Sequence, residues 1–160
     1  MPNQPITRRA MLLGSALVLT AAALPAAATA TSAGTIHVLK DPNCGCCTAW
    51  IQTLAPAGIA ATVELTSPAS LARAKQQGGI PPSLQSCHTG MIEGYVIEGH
   101  VPAADILRLL RERPEAVGLA VPGMPWGSPG MGPETEREAY DVILIGKDGE
   151  TRVFSRYPAA

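Results

Sequence analysis

Ile36-His37-Val38-Leu39-Lys40-Asp41-Pro42-Asn43-Cys44-Gly45-Cys46-Cys47-Thr48-Ala49-Trp50-Ile51-Gln52-Thr53-Leu54 is the stretch whose reading decides the fold. Ile36 to Lys40 is a short β-prone run that ends at the turn signal Asp41-Pro42-Asn43. From Cys46 to Leu54 the pattern turns helical, with Trp50, Ile51 and Leu54 at three- and four-residue spacings on one face. Pro56 and Gly58 stop it. Three cysteines therefore stand between a first strand and a first helix, and that placement governs both fold and chemistry.

Outward from there, Ala61 to Thr66 reads as a second strand. Ser67-Pro68 opens a second helix to about Gln77, with proline at its first position, where a missing N–H costs nothing. Gly78-Gly79 ends it, and Ile80-Pro81-Pro82-Ser83 is loop. Thr89 to Ile92 and Tyr95 to Ile97 read as short strands joined by Glu93-Gly94, and Met91 is expected in the core. Pro102 to Arg113 is the clearest helix, burying Ile106, Leu109 and Leu110. Pro122 to Pro133 has no helical or strand period. Val142 to Ile145, the turn Gly146-Lys147-Asp148-Gly149, and Thr151 to Tyr157 read as a hairpin. The order is β-α-β-α-β-β-α, a long loop and a hairpin. This predicts an α/β chain: a thioredoxin-like sheet with flanking helices plus a C-terminal β-hairpin. That fold keeps its reactive pair in the loop after its first strand, where the cysteines are.

Cys44 and Cys47 form a Cys-x-x-Cys, and Cys46 adds a third sulfur inside it. A helix starting near Cys46 would favour thiolate over thiol through its N-terminal N–H groups. A thiolate serves disulfide exchange and soft-metal binding alike. An exchanger needs one attacking and one resolving sulfur, however, and a third beside them invites unproductive pairing. Three soft donors within four residues suit Cu(I) or Zn(II) instead. Forty residues beyond Cys47 comes Cys87-His88, before the expected third strand. In the predicted fold this loop faces the first, so a fourth sulfur and an imidazole would point at the cluster. Thioredoxin-like oxidoreductases carry a cis-proline at that place, whereas Cys87-His88-Thr89 stands there here. Met124 and Met131 lie on the Gly/Pro loop with Trp126; a thioether suits Cu(I) and is poor for zinc, and equally can plug a groove under the loop. His100 either caps the third helix or reaches the site. His37, inside the first strand, is expected to be an ordinary core or surface histidine, and Trp50 a core residue.

At the other end of the reading, Arg8-Arg9 precede an apolar run from Met11 to Leu24, and Ala28-Thr29-Ala30 offers a small-x-small cleavage site. The run is shorter than the ~20 residues a spanning helix needs. Residues 1–30 are therefore expected to be an export signal, twin-arginine-like in its Arg pair with an ordinary secretory signal as the alternative, and 31–160 a single domain outside the cytoplasm, where disulfides are permitted. No membrane span is expected after cleavage. The formal charge is −1, and it becomes −3 once Arg8 and Arg9 are set aside. With one Phe, two Trp and three Tyr, the chain has neither the basic face nor the aromatics for nucleic acid.

Four separated blocks carry a family resemblance: Cys44-Gly45-Cys46-Cys47 with Trp50; Ser86-Cys87-His88-Thr89; Gly94-Tyr95 with Glu98-Gly99-His100-Val101-Pro102; and Gly118-Leu119-Ala120-Val121-Pro122-Gly123-Met124-Pro125. In order, they resemble the CopG-like copper-resistance proteins, a bacterial metal-binding family long catalogued as a domain of unknown function. The resemblance runs from about Ile36 to Tyr157. It implies a thioredoxin-like fold and a periplasmic place in copper or heavy-metal resistance, beside other copper-handling proteins. It also carries copper-ligand roles onto Cys44, Cys46, Cys47 and Cys87, with His88, Met124 and Met131 as helpers. Copper as Cu(I), in one ion or several sharing bridging sulfurs, is the first expectation, and zinc is second. Whether the chain is an enzyme is left open; the rival is a thiol-disulfide oxidoreductase using Cys44 and Cys47.

Overall fold

The structure is a computed structural model and describes residues 33–160. The expected export signal over residues 1–30 lies outside the described residues.

Seven strands form one mixed sheet in the order β2-β1-β3-β4-β5-β6-β7. They are β1 (Thr35–Lys40), β2 (Ala60–Leu65), β3 (His88–Ile92), β4 (Tyr95–Glu98), β5 (Ala116–Ala120), β6 (Tyr140–Gly146) and β7 (Thr151–Tyr157). Three ten-residue helices accompany them: α1 (Gly45–Leu54), α2 (Pro68–Gln77) and α3 (Ala103–Glu112). β1 runs parallel to β2 and antiparallel to β3; β3 and β4 are antiparallel, and β4 and β5 parallel. β6 pairs antiparallel with both β5 and β7. Among the described residues, no helix is long and apolar enough to cross a membrane.

Period-two alternation sends Ile36 and Val38 of β1 to the face covered by α1 and α3, where they join Trp50, Leu54, Ile106 and Leu109, all fully buried. Each such side chain contributes about 1.5–3 kcal/mol by leaving water. The opposite face carries a smaller cluster of Ile80, Ala120 and Ile145. Helix α2 starts where its sequence signals say: Ser67 Oγ accepts from the Ser70 N–H at 3.2 Å, and Pro68 follows.

Two expectations are corrected. Ala116 to Ala120 is a strand, inserted between β4 and β6 where the sequence reading had only a connection. Its residues are buried on both faces, so it has no alternation to reveal it. Met91 is exposed (45%), because Gly90 and Ile92 take the core side of β3 and leave Met91 on the other.

Gly118 of β5 sits opposite Val96 of β4, and a methyl group there would overlap the Val96 backbone. Gly118→Ala should therefore cost about 3 kcal/mol by prising β4 from β5. Urea unfolding of the two proteins checks this, and an unchanged midpoint would contradict the packing.

Candidate metal centre

The first half of the site follows from how the chain leaves β1. The Asp41 carboxylate accepts from the Asn43 N–H at 2.8 Å, and the Asp41 carbonyl accepts from the Cys44 N–H at 3.1 Å. This Asx turn delivers Cys44 to the N-cap of α1, where its sulfur accepts from the Cys47 N–H at 3.3 Å. Cys46 and Cys47 then occupy the first helical turn of α1. Cys47 is fully buried, whereas Cys44 and Cys46 are partly exposed, so the trio has one inward and two outward sulfurs. Cys44 and Cys47 are joined as a disulfide, with Cα atoms 5.4 Å apart; Cys46 and Cys87 are free thiols.

The second half arrives through strand pairing. Lys40, the last residue of β1, lies opposite His88, the first of β3. Cys87, one residue earlier, is thereby set beside the loop that leaves β1. Its sulfur is 3.5 Å from that of Cys47 and 3.9 Å from that of Cys46, which is in turn 3.5 Å from Cys44. All four sulfurs lie within 4.8 Å of one another. Two imidazoles flank Cys87 on its inner side, with His88 Nδ1 at 3.4 Å and His100 Nε2 at 3.2 Å. Cys87, His88 and His100 form a second close group, so Cys87 belongs to both.

The surroundings fix both rings. His88 lies against the Trp50 ring at 4.3 Å between centroids, and Trp50 is held by its N–H donating to the Val101 carbonyl at 2.9 Å. His100 Nδ1 donates to the Pro129 carbonyl at 2.8 Å, which assigns its proton to Nδ1 and leaves the Nε2 lone pair facing Cys87. Burial, with the neighbouring His100, Lys75 and Lys40 after it, pushes His88 down to about 3. Burial likewise lowers His100, against the pull of the Pro129 carbonyl. Both rings are thus neutral at physiological pH, the form a metal needs. Burial pushes the Cys87 thiol up to about 12, with the Cys46 charge adding to it. Proximity to a cation would reverse that trend. His88 turns Nδ1 towards Cys87, and its Nε2 is buried without a hydrogen-bond partner among the described residues. Once the Cys44–Cys47 disulfide is reduced, the donor set of four sulfurs and two neutral imidazoles fits a soft or borderline metal ion.

A family model described as "Protein of unknown function, DUF411" matches residues 84–131, the span holding Cys87, His88 and His100. Two solved structures of copper resistance protein CopG are each 47% identical to this chain and cover 78% of it and 98% of their own length. Form 1 has a TM-score of 0.72 and Form 2 of 0.73. The chain belongs to the CopG family. No curated protein sequence matches it.

Set against the sequence reading, the site brings together Cys44, Cys46, Cys47, Cys87 and His88. It adds His100, for which a capping role was the alternative; Pro102 caps α3 instead. The signal for His100 was its place two residues past the end of β4, which the β3–β4 pairing carries alongside Cys87. In this CopG relative the loop from Pro122 to Pro133 straps the site: Ser86 Oγ donates to the Gly123 carbonyl, and the Pro129 carbonyl holds His100. Gly130, in the left-handed region at φ +81°, lies so close to the Trp50 backbone that a side chain would collide. Met124 is half exposed on that strap, and Met131 is partly buried, its N–H donating to the Ser128 carbonyl at 2.8 Å. Trp126 is also half exposed and donates to Glu136 at 3.2 Å. His37 is a surface residue on Thr62 and Glu64, as one of its two expectations had it.

The neutral His88 couples stability to pH. Its pKa falls from 6.5 unfolded to about 3 folded, so the unfolded chain binds a proton that the native metal-free protein refuses. Its contribution is complete above pH 6.5 and is lost as pH falls from there toward 3. From pH 7.5 to 5.0 the loss is about 2 kcal/mol from this residue. Urea midpoints of the metal-free protein should show it, and His88→Gln should flatten the slope; equal slopes would contradict a neutral buried His88.

Proposed function

We propose that this chain is an exported, periplasmic copper-binding protein that holds Cu(I) between the Cys44-Cys46-Cys47 turn and Cys87, in copper resistance. The single observation that carries the reading is the convergence of four sulfurs, from positions forty residues apart, within 4.8 Å. Thiolates and imidazoles are the donors that Cu(I) prefers, and shared sulfurs allow more than one ion. His88 and His100 complete the donor set from the inner side. Met124 and Met131, on the strap beside it, are the candidates for outer thioether contacts. Zinc fits the sulfurs and imidazoles as well, but it gives the methionines no role.

The sheet order β2-β1-β3-β4, with β1 and β2 parallel and the cysteines after β1, supports a thioredoxin-like core to which β6 and β7 are appended as a hairpin. The Arg8-Arg9 leader and the internal disulfide support an oxidising, extracytoplasmic setting. Copper ions are the cargo, received from and passed to other copper-handling proteins of that compartment. With Cys44 and Cys47 oxidised, two of the four sulfurs are unavailable to a metal. Reduction by an external dithiol, itself oxidised to a disulfide, frees both, so that metal uptake and redox state are linked.

That same disulfide favours a second reading, a thiol-disulfide oxidoreductase in which Cys44, the more exposed sulfur, receives the incoming thiolate. Turnover of a protein disulfide that Cys44→Ser abolishes and chelators leave unchanged would favour it.

Reduced protein, loaded anaerobically against a chromogenic Cu(I) chelator, should retain at least one copper per chain, and the disulfide form should retain far less. Cys87→Ala should weaken retention roughly tenfold or more, in the range known for the loss of supporting groups at metal sites. Reduced protein that takes up no Cu(I), with its four thiols counted, would refute the proposal.

A further inference from the structure

Beneath the site, on the α2 side of the sheet, lies an ion pair the metal chemistry does not use. Lys75 is 4% exposed and Glu98 fully buried, with Nζ and Oε1 2.5 Å apart. Neither charge is isolated. Lys75 Nζ also donates to Thr89 Oγ1 at 3.0 Å and to the His88 carbonyl at 3.3 Å. Glu98 Oε1 accepts from the Ser86 N–H at 2.7 Å, and Oε2 accepts from Thr89 Oγ1 at 2.7 Å. Ser86, His88 and Thr89 are the residues around Cys87. The pair therefore grips the backbone on both sides of the one cysteine that comes from the second loop.

A buried ion pair contributes little more to stability than a hydrophobic pair of the same volume, because desolvation offsets the attraction. What distinguishes this one is direction: four of its hydrogen bonds end on a four-residue segment. Ser86 precedes β3 and has no ladder partner for its N–H, so without Glu98 that part-buried donor would lose its protein partner and the turn would be free to rotate. The sequence marks none of this. Lys75 and Glu98 are 23 residues apart and on different elements, joined only when α2 packs across β3 and β4.

We propose that Lys75 and Glu98 are positioning residues for the metal centre: from the far face of the sheet they set the Ser86–Thr89 segment so that Cys87 stands against Cys46 and Cys47. The purpose of that position rests on the copper reading above; the positioning itself does not. It is tested without metal, in protein carrying Cys44→Ser and Cys46→Ser, where Cys47 and Cys87 remain as a pair 3.5 Å apart. Equilibration with reduced and oxidised glutathione gives the effective concentration of the two thiols, a direct measure of their alignment. Lys75→Met/Glu98→Leu, which removes both charges and the acceptors, should lower it by roughly tenfold while circular dichroism keeps its native form. Lys75→Met/Glu98→Gln, which restores an acceptor for the Ser86 N–H, should recover it to within about threefold of the parent. If the leucine variant fails to fold, Thr89→Val, which deletes only the hydroxyl between the charges, should lower it by roughly threefold. An effective concentration unchanged in the folded leucine variant, or in Thr89→Val, would overturn the proposal, as would a glutamine variant as impaired as the leucine one. Failure of the protein to bind copper would end the copper reading and leave this result standing.

Discussion

The register of β1 against β3 is the constraint on which the site depends. Lys40 opposite His88 places the end of the first strand beside the beginning of the third. One strand leads into the cysteine turn and the other is entered through Cys87, so a single antiparallel ladder closes the gap between distant parts of the chain. Because side chains alternate along a strand, a slip of one residue would turn His88 to the α2 face and carry Cys87 away from α1. The ladder is in turn secured by the core on one side, through Ile36 and Val38, and by the Lys75–Glu98 pair on the other.

Around that frame, local electrostatics prepare the donors in different ways. At the start of α1 the Cys44 sulfur accepts from the Cys47 N–H, while the imidazoles meet an apolar wall of Trp50 and burial that keeps them neutral. Cys87 sits where these environments touch. Burial, with the Cys46 charge adding to it, holds its thiol protonated. The strap from Pro122 to Pro133 finishes the enclosure by selecting the His100 tautomer through a backbone carbonyl. Partly exposed Cys44 and Cys46 leave the outer side of the cluster open.

Much of this was legible in the sequence, for reasons that are physical. Ser67-Pro68 and Gly78 mark the ends of α2 because capping chemistry is local, and the cysteine turn announces itself by spacing. The convergence of Cys87 with the trio followed from the element order. What stayed hidden was non-local. β5 is buried on both faces and shows no period; Met91 has an apolar side chain on the outward face of its strand; for His100 the sequence left capping and the site both open, and the pairing of β3 with β4 decides between them. The Lys75–Glu98 contact had no sequence signal, because only the docking of α2 brings the two together.

The most direct measurement is diffraction from the reduced, copper-loaded protein at the copper absorption edge. The account predicts anomalous density within bonding distance of Cys87 Sγ and of at least one sulfur from Cys44, Cys46 or Cys47. Copper bound by one loop alone, with the Cys87 side chain turned away from it, would contradict the account.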